Sequence, residues 1–205
     1  MDFKGRRILV VGVARSGLQA IAILQKQGAI VSACDIKTEE QLGEIVGELR
    51  QAGVDLFTGT YPDILAGKYE LIVASPGVPL NIDPFIQAMQ HNIPVISEVE
   101  LGYKLKSPRV EIYAITGTNG KTTTVSLVQH ILSSDGRQAI YAGNIGVPLT
   151  SIVDSLESGE IVLEMSSFQL ETIEDFRPHI CGILNITPDH LNRHKTVKNY
   201  AAIKE

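Results

Sequence analysis

Cysteine is scarce in this chain of 205 residues, with Cys34 and Cys181 the only two. No cysteine or histidine pair has the spacing of a zinc site. Each cysteine lies in an apolar run that reads as a buried strand, so two buried, reduced thiols are the expectation. Long hydrophobic runs are lacking too, and no segment approaches the ~20 apolar residues that cross a bilayer. Lys4, Arg6 and Arg7, followed by the apolar residues 8–13, superficially resemble a secretory leader. That run is too short, and the pattern after Gly12 is helical and amphipathic rather than a cleavage site. A soluble, cytoplasmic protein is expected. A basic excess is also missing: 18 Lys and Arg stand against 23 Asp and Glu, for a net charge of −5. The basic residues are scattered, which argues against a phosphate-backbone-binding face. The chain shows no internal repeat and no low-complexity tract.

What is present is a core-forming composition, 44% hydrophobic, with a length that suits one large or two small globular domains. Short β-branched runs alternate with helical patterns, the signature of parallel sheets covered by helices. Strands are expected at 7–13, 30–34, near Leu56, at 71–74 and at 94–96. Helices are expected at 17–27, 39–52, 83–91 and 98–104. The polar, proline-containing stretch 105–109 breaks the pattern and places a domain boundary between 1–106 and 107–205. A second α/β unit follows, with strands at 110–115, 139–142, 161–164 and 180–184. Its helices are expected at about 122–133 and from Val197 onward. This unit reads as incomplete, because the last helix reaches Glu205 with no stop signal.

Between the strand 110–115 and the following helix lies Thr116-Gly117-Thr118-Asn119-Gly120-Lys121-Thr122-Thr123. Glycines here let successive backbone N–H groups turn toward an anion, and the helix N-terminus adds its partial positive charge. Lys121 can reach β- and γ-phosphates, and the Thr122 hydroxyl can ligate Mg²⁺. A full phosphate-loop pattern would have glycine where this chain has Ile115, so the loop is a shortened variant. Glu164 ends an apolar strand, and Asp189 and His190 follow another after a Thr187-Pro188 turn. Strand ends are where open parallel sheets place their ligands. Taken singly, these are an edge carboxylate, a helix-capping Asp and a surface His; together, downstream of a phosphate loop, they read as functional.

Gly12-Val13-Ala14-Arg15-Ser16-Gly17 opens the first helix and is similar to a dinucleotide fingerprint, with Asp35 at the distance of a ribose contact. Ala14 replaces the middle glycine, which hinders close approach to a pyrophosphate. Arg15 and Ser16 could instead meet the phosphate of a differently posed nucleotide, or the turn could serve packing alone.

TGTNGKTT at 116–123, AGNIG at 142–146, EMSSFQLE at 164–171 and NITPDHLNRH at 185–194 together resemble the Mur ligases of peptidoglycan synthesis. The phosphate loop alone is shared with folylpolyglutamate synthases. SSFQLE at 166–171 and ASPGVP at 74–79 most resemble the D-glutamate-adding branch. The likeness covers essentially the whole chain. It implies an α/β architecture: a Rossmann-like, UDP-substrate-binding N-terminal domain with a parallel sheet, then part of a phosphate-loop-type central ATP domain.

The resemblance further implies that Gly117, Thr118, Asn119, Gly120, Lys121, Thr122 and Thr123 bind ATP. Thr122 and Glu164 would hold one Mg²⁺, and His190 would help hold a second. Lys204 matches the lysine that the family carbamylates to supply a metal-binding oxygen, which makes Lys121, His190 and Lys204 the catalytic candidates. Arg15, Ser16, Asp35, Ile36, Lys37 and the turn Ser75, Pro76, Gly77 would cradle the uridine and diphosphate, and Asn144 would touch the UDP-sugar. The implied reaction activates the alanine carboxylate of UDP-N-acetylmuramoyl-L-alanine with ATP, and the D-glutamate amine then attacks the acyl phosphate. The amino-acid-binding third domain of the family is not in this sequence. The chain alone is therefore expected to be inactive, and its open sheet edge to favour self-association. Two other readings stay open: an NAD-dependent oxidoreductase and a non-catalytic nucleotide-binding module.

Overall fold

The computed structural model describes residues 2–205, and the chain divides into two compact units, 1–101 and 102–205. The division falls within the helix Glu98–Leu105, just ahead of the polar stretch where composition placed the boundary.

The first unit is built on five parallel strands: β1 (Arg7–Val11), β2 (Ile30–Asp35), β3 (Asp55–Thr58), β4 (Leu71–Ala74) and β5 (Val95–Ser97). Their order is β3-β2-β1-β4-β5. Helices α1 (Arg15–Lys26), α2 (Glu39–Leu42), α3 (Ile45–Gln51), α4 (Asp83–Gln90) and α5 (Glu98–Leu105) connect or follow them. β1 and β4 are apolar almost throughout because parallel strands covered on both faces leave no side chain in water. Leu9, Val11, Cys34, Ile72, Ala74 and Phe85 form the centre of one core cluster. The central strand β1 pairs with β2 on one side and β4 on the other. The chain reverses direction across the sheet here, and the crevice beyond these strand ends is where such sheets bind ligands.

The single helix expected over 39–52 is instead two. Gly43, at φ 62°, terminates α2 after a capping box at Thr38 and Gln41, and the chain restarts as α3. A glycine that supplies a left-handed residue is a stop signal, and the apolar periodicity running across it masked the break.

The second unit has four parallel strands, β6 (Val110–Thr116), β7 (Ala139–Gly143), β8 (Gly159–Glu164) and β9 (Ile180–Ile183), in the order β7-β8-β6-β9. Helix α6 (Lys121–Ser134) packs Val125, Val128 and Leu132 against Ile115 and Val162 of the sheet. Three short pieces were not foreseen: a 3₁₀ turn at Leu149–Ser151, α7 (Ser167–Leu170) and α8 (Leu191–His194). α9 (Val197–Lys204) follows.

The thiol expectation is corrected for one residue. Cys34 is buried, whereas Cys181 is exposed. β9 is an edge strand with β6 as its one strand neighbour, so Ile180 and Ile183 are exposed as well. An apolar run reads the same at the centre and at the edge of a sheet.

Candidate functional site

In the second unit, the loop Gly117–Gly120 runs from the end of β6 to the start of α6. Gly120 caps the helix at φ 84°, a left-handed conformation that only glycine adopts without strain. The first backbone bond of α6 is Thr124 N–H to the Gly120 carbonyl (3.0 Å), so the amides before it face out of the helix end, where an anion is favoured. Lys121 is anchored at this end, and its Nζ donates to the carbonyls of Gly117 and Thr118, each at 2.8 Å.

Glu164 closes β8 beside it and is buried. The Thr122 hydroxyl donates to one of its oxygens at 2.8 Å, and Asn144 Nδ2 donates to the other, also at 2.8 Å. Asn144 is itself fixed by its backbone N–H bonding the Glu164 carbonyl (2.9 Å). Thr122, Glu164 and Asn144, taken from three segments, thus meet at one carboxylate. A hydroxyl and a carboxylate side by side are the hard oxygen donors that Mg²⁺ prefers, with water and phosphate filling its remaining positions.

Lys204, near the end of α9, is also buried. Its Nζ bonds Thr116 Oγ1 at 3.0 Å and lies 4.7 Å from the centre of the Tyr200 ring. Burial pulls the ammonium down to about 8; nearby Lys121 adds to the fall and Asp189 opposes it. Lys204 therefore stands at the base of the loop 117–120 and holds its proton less tightly than an ordinary lysine.

His190 is placed differently. It occupies the left-handed region at φ 50° as the residue before α8, and its ring packs 4.8 Å from Phe168. Its backbone N–H and ring Nε2 both face Asp189, at 2.8 and 3.5 Å. Among the described residues, no three His, Cys, Asp or Glu side chains gather as a metal site. Glu164 and Thr122, by contrast, are in direct hydrogen-bond contact.

Sequence reasoning missed Asn185 and Thr187. The Asn185 carboxamide accepts from the Asn119 N–H and donates to the Asn119 carbonyl, both at 2.9 Å, while its own carbonyl takes the Thr118 N–H at 3.0 Å. Thr187 pairs both ways with the Thr118 hydroxyl. These bonds tie the loop 117–120 to the segment after β9. Ser166 and Gln169 form a capping box, S-x-x-Q, at the start of α7, a local signal that sequence reasoning also passed over.

In the first unit, the turn after β1 is held by side chains from two neighbouring strands. The Asp35 oxygens accept the N–H groups of Val13 and Lys37, each at 3.0 Å. The buried Ser75 hydroxyl donates to the Gly12 carbonyl at 2.8 Å. A Cβ on Gly17 would sit 1.9 Å from that same carbonyl, so α1 can approach the turn only through glycine. Both Asp35 oxygens are engaged by backbone, which leaves the carboxylate as a brace for the turn and weakens the ribose contact of a dinucleotide site. Arg15, Ile36, Lys37 and Gly77 are exposed, and Ser16 and Pro76 are half-buried around this crevice.

Two sequence profiles match the chain: the Mur ligase MurD-like N-terminal domain over residues 6–97, and the Mur ligase middle domain over 115–205. A UDP-N-acetylmuramoylalanine–D-glutamate ligase from Koribacter versatilis is 48% identical, covering 100% of this chain and 45% of the relative. One from Alkaliphilus metalliredigens is 44% identical with the same coverage. The chain thus spans less than half the length of these curated relatives. The crystal structure of UDP-N-acetylmuramate:L-alanyl-gamma-D-glutamyl-meso-diaminopimelate ligase from Neisseria meningitides shares the fold, with a TM-score of 0.56 over 97% of this chain and 66% of that one, at 20% identity.

Proposed function

The chain belongs to the Mur ligase family, and from that premise we propose that the complete protein is an ATP-dependent amide ligase adding D-glutamate to UDP-N-acetylmuramoyl-L-alanine. The observation that carries the proposal is the meeting of Thr122 and Asn144 on Glu164, beside the phosphate loop and Lys121. Phosphoryl transfer to a carboxylate needs positioning and charge neutralisation rather than a protein nucleophile. In this reading Lys121 and the outward-facing amides at the start of α6 hold the transferring phosphates. Thr122 and Glu164 would hold Mg²⁺, which when bound neutralises developing negative charge. Asn144 keeps Glu164 oriented. Lys204, with its lowered proton affinity, is the family's candidate for carbamylation. The crevice around Gly12, Asp35 and Ser75 in the first unit would take the uridine diphosphate end of the substrate.

Calorimetric titration with UDP-N-acetylmuramoyl-L-alanine, with NAD in parallel, tests the substrate assignment. Saturable binding of the UDP-sugar alone is expected; binding of NAD alone would reinstate the oxidoreductase reading. For catalysis, Lys121→Ala in the complete protein is expected to lower turnover by at least ~10²–10³-fold, the usual cost of removing one electrostatic contact to the transition state. Turnover at the parental rate in that variant would sink the phosphate-loop assignment.

A further inference from the structure

His194, four residues after His190, plays no part in the mechanism above, yet it is one of the most enclosed polar side chains of the second unit, 4% exposed. Its Nε2 lies 2.9 Å from the hydroxyl of Ser167, which is 2% exposed, and its Nδ1 lies 3.4 Å from Glu171 Oε1. A carboxylate only accepts, so Nδ1 carries the proton and Nε2 accepts from Ser167. Burial lowers the proton affinity of His194, in keeping with a neutral ring. Glu171 is held in turn by Arg193, whose Nε contacts both carboxylate oxygens at 3.1 Å and whose Nη2 adds a third contact.

The arrangement has the order of a serine–histidine–carboxylate triad, but a hydroxyl this enclosed meets no substrate. A buried polar network is costly to form and is worth keeping only when fully satisfied. What it joins is informative. Ser167 and Glu171 belong to α7 and the residue after its end, three and seven positions past Glu164. His194 and Arg193 belong to α8, which opens at His190. Phe168 lies between, with His190 at 4.8 Å, His194 stacked at 5.6 Å and the Arg193 guanidinium at 5.2 Å from its ring. The His190 carbonyl accepts the N–H groups of Arg193 and His194 at 2.9 and 3.0 Å. His190 itself keeps a left-handed backbone, which costs energy for a non-glycine residue and persists only where its surroundings enforce it.

We propose that Ser167, Glu171, Arg193 and His194 are positioning residues that clamp α7 to α8 and thereby hold the His190 imidazole against Phe168. The inference rests on the ligase reading insofar as His190 is taken to meet a metal. The clamp itself is a statement about the chain alone. Partners that orient a metal-binding histidine without touching the metal typically contribute ~10–100-fold in metal affinity.

The test uses the complete protein with H194L, which keeps bulk and removes both polar links, and S167A, which removes one hydroxyl. In metal-free protein, the His190 ring-proton NMR signals should carry a ring-current displacement from Phe168. That displacement should collapse toward random-coil values in H194L and shrink in S167A. With ADP present, Mn²⁺ affinity measured by electron paramagnetic resonance should fall about tenfold or more in H194L, while metal-free ADP binding stays at the parental value. Parental His190 signals in either folded variant would overturn the clamp. So would a loss of metal-free ADP binding in parallel with Mn²⁺, since that marks general disruption. If H194L does not fold, S167A alone carries the same two readouts. If the parent itself binds no Mn²⁺ with ADP, the ligase reading of the site fails while the NMR arm still decides the clamp.

Discussion

Lys204 shows how burial sets the chemistry of one side chain. Its ordinary value of 10.5 is lowered to about 8, first by loss of water and then by Lys121. The folded chain therefore holds this proton less tightly than the unfolded chain does. Below about pH 8 both states are protonated and the charged Lys204 opposes folding in full. As pH climbs from about 8 toward 10.5 the folded state sheds its proton first, and that opposition fades. Comparison with Lys204→Met, which cannot titrate, isolates this contribution. The expected outcome is that urea midpoints shift in favour of the parent as pH rises through that window. A parent–variant difference that stays flat with pH would mean that Lys204 is not desolvated in solution. The same shift leaves a sizeable neutral amine fraction near pH 8, the form that reacts with carbon dioxide.

At the level of elements, most strands were legible because β-branched runs between turn residues leave little alternative; 71–74 appeared with the bounds of β4. The position of the loop 117–120 was legible because its glycines stand between a β-branched run and a helical pattern, and it does join β6 to α6. Two kinds of feature were not legible. Helices of one turn, such as α7 and α8, are shorter than a hydrophobic period and are held by their side-chain partners rather than by pattern. Contacts such as Asn185 to Asn119 join residues 66 positions apart, and no local signal announces them. Edge position is invisible for the same reason, and β9 illustrates it. Cys181 on β9 should react rapidly with an exposed-thiol reagent. Cys34 should not: burial in β2, with help from Asp35, pushes its thiol up to about 12 and keeps it from the reactive thiolate form. One fast equivalent in native protein and a second only on unfolding is the expected count. Two fast equivalents would contradict the burial of β2.

Across the molecule, each compact unit has its own parallel sheet, its own core cluster and its own candidate ligand crevice at the carboxyl ends of its central strands. The two crevices are built differently. The first is braced by side chains at the ends of adjacent strands, Asp35 and Ser75, and the second by a helix terminus with a lysine. Hydrogen exchange should separate them: uridine diphosphate is expected to slow exchange in residues 1–101, around Gly12–Ser16 and Ser75–Gly77, and to leave Gly117–Thr123 unchanged. Protection of the second segment by uridine diphosphate would reassign the sites. No described helix is long and apolar enough to cross a membrane.

The hydrogen bond from Lys204 to Thr116 spans 88 positions of sequence. At about 5–20 residues per second of synthesis, Thr116 emerges on the order of 4–18 s before the lysine that closes its loop. The first unit, whose contacts lie within 101 residues, can be complete by then. A nascent chain would thus hold a finished first-unit crevice while the loop ahead of α6 still waits for α9, and a ligand met during translation would find only one of the two candidate sites ready.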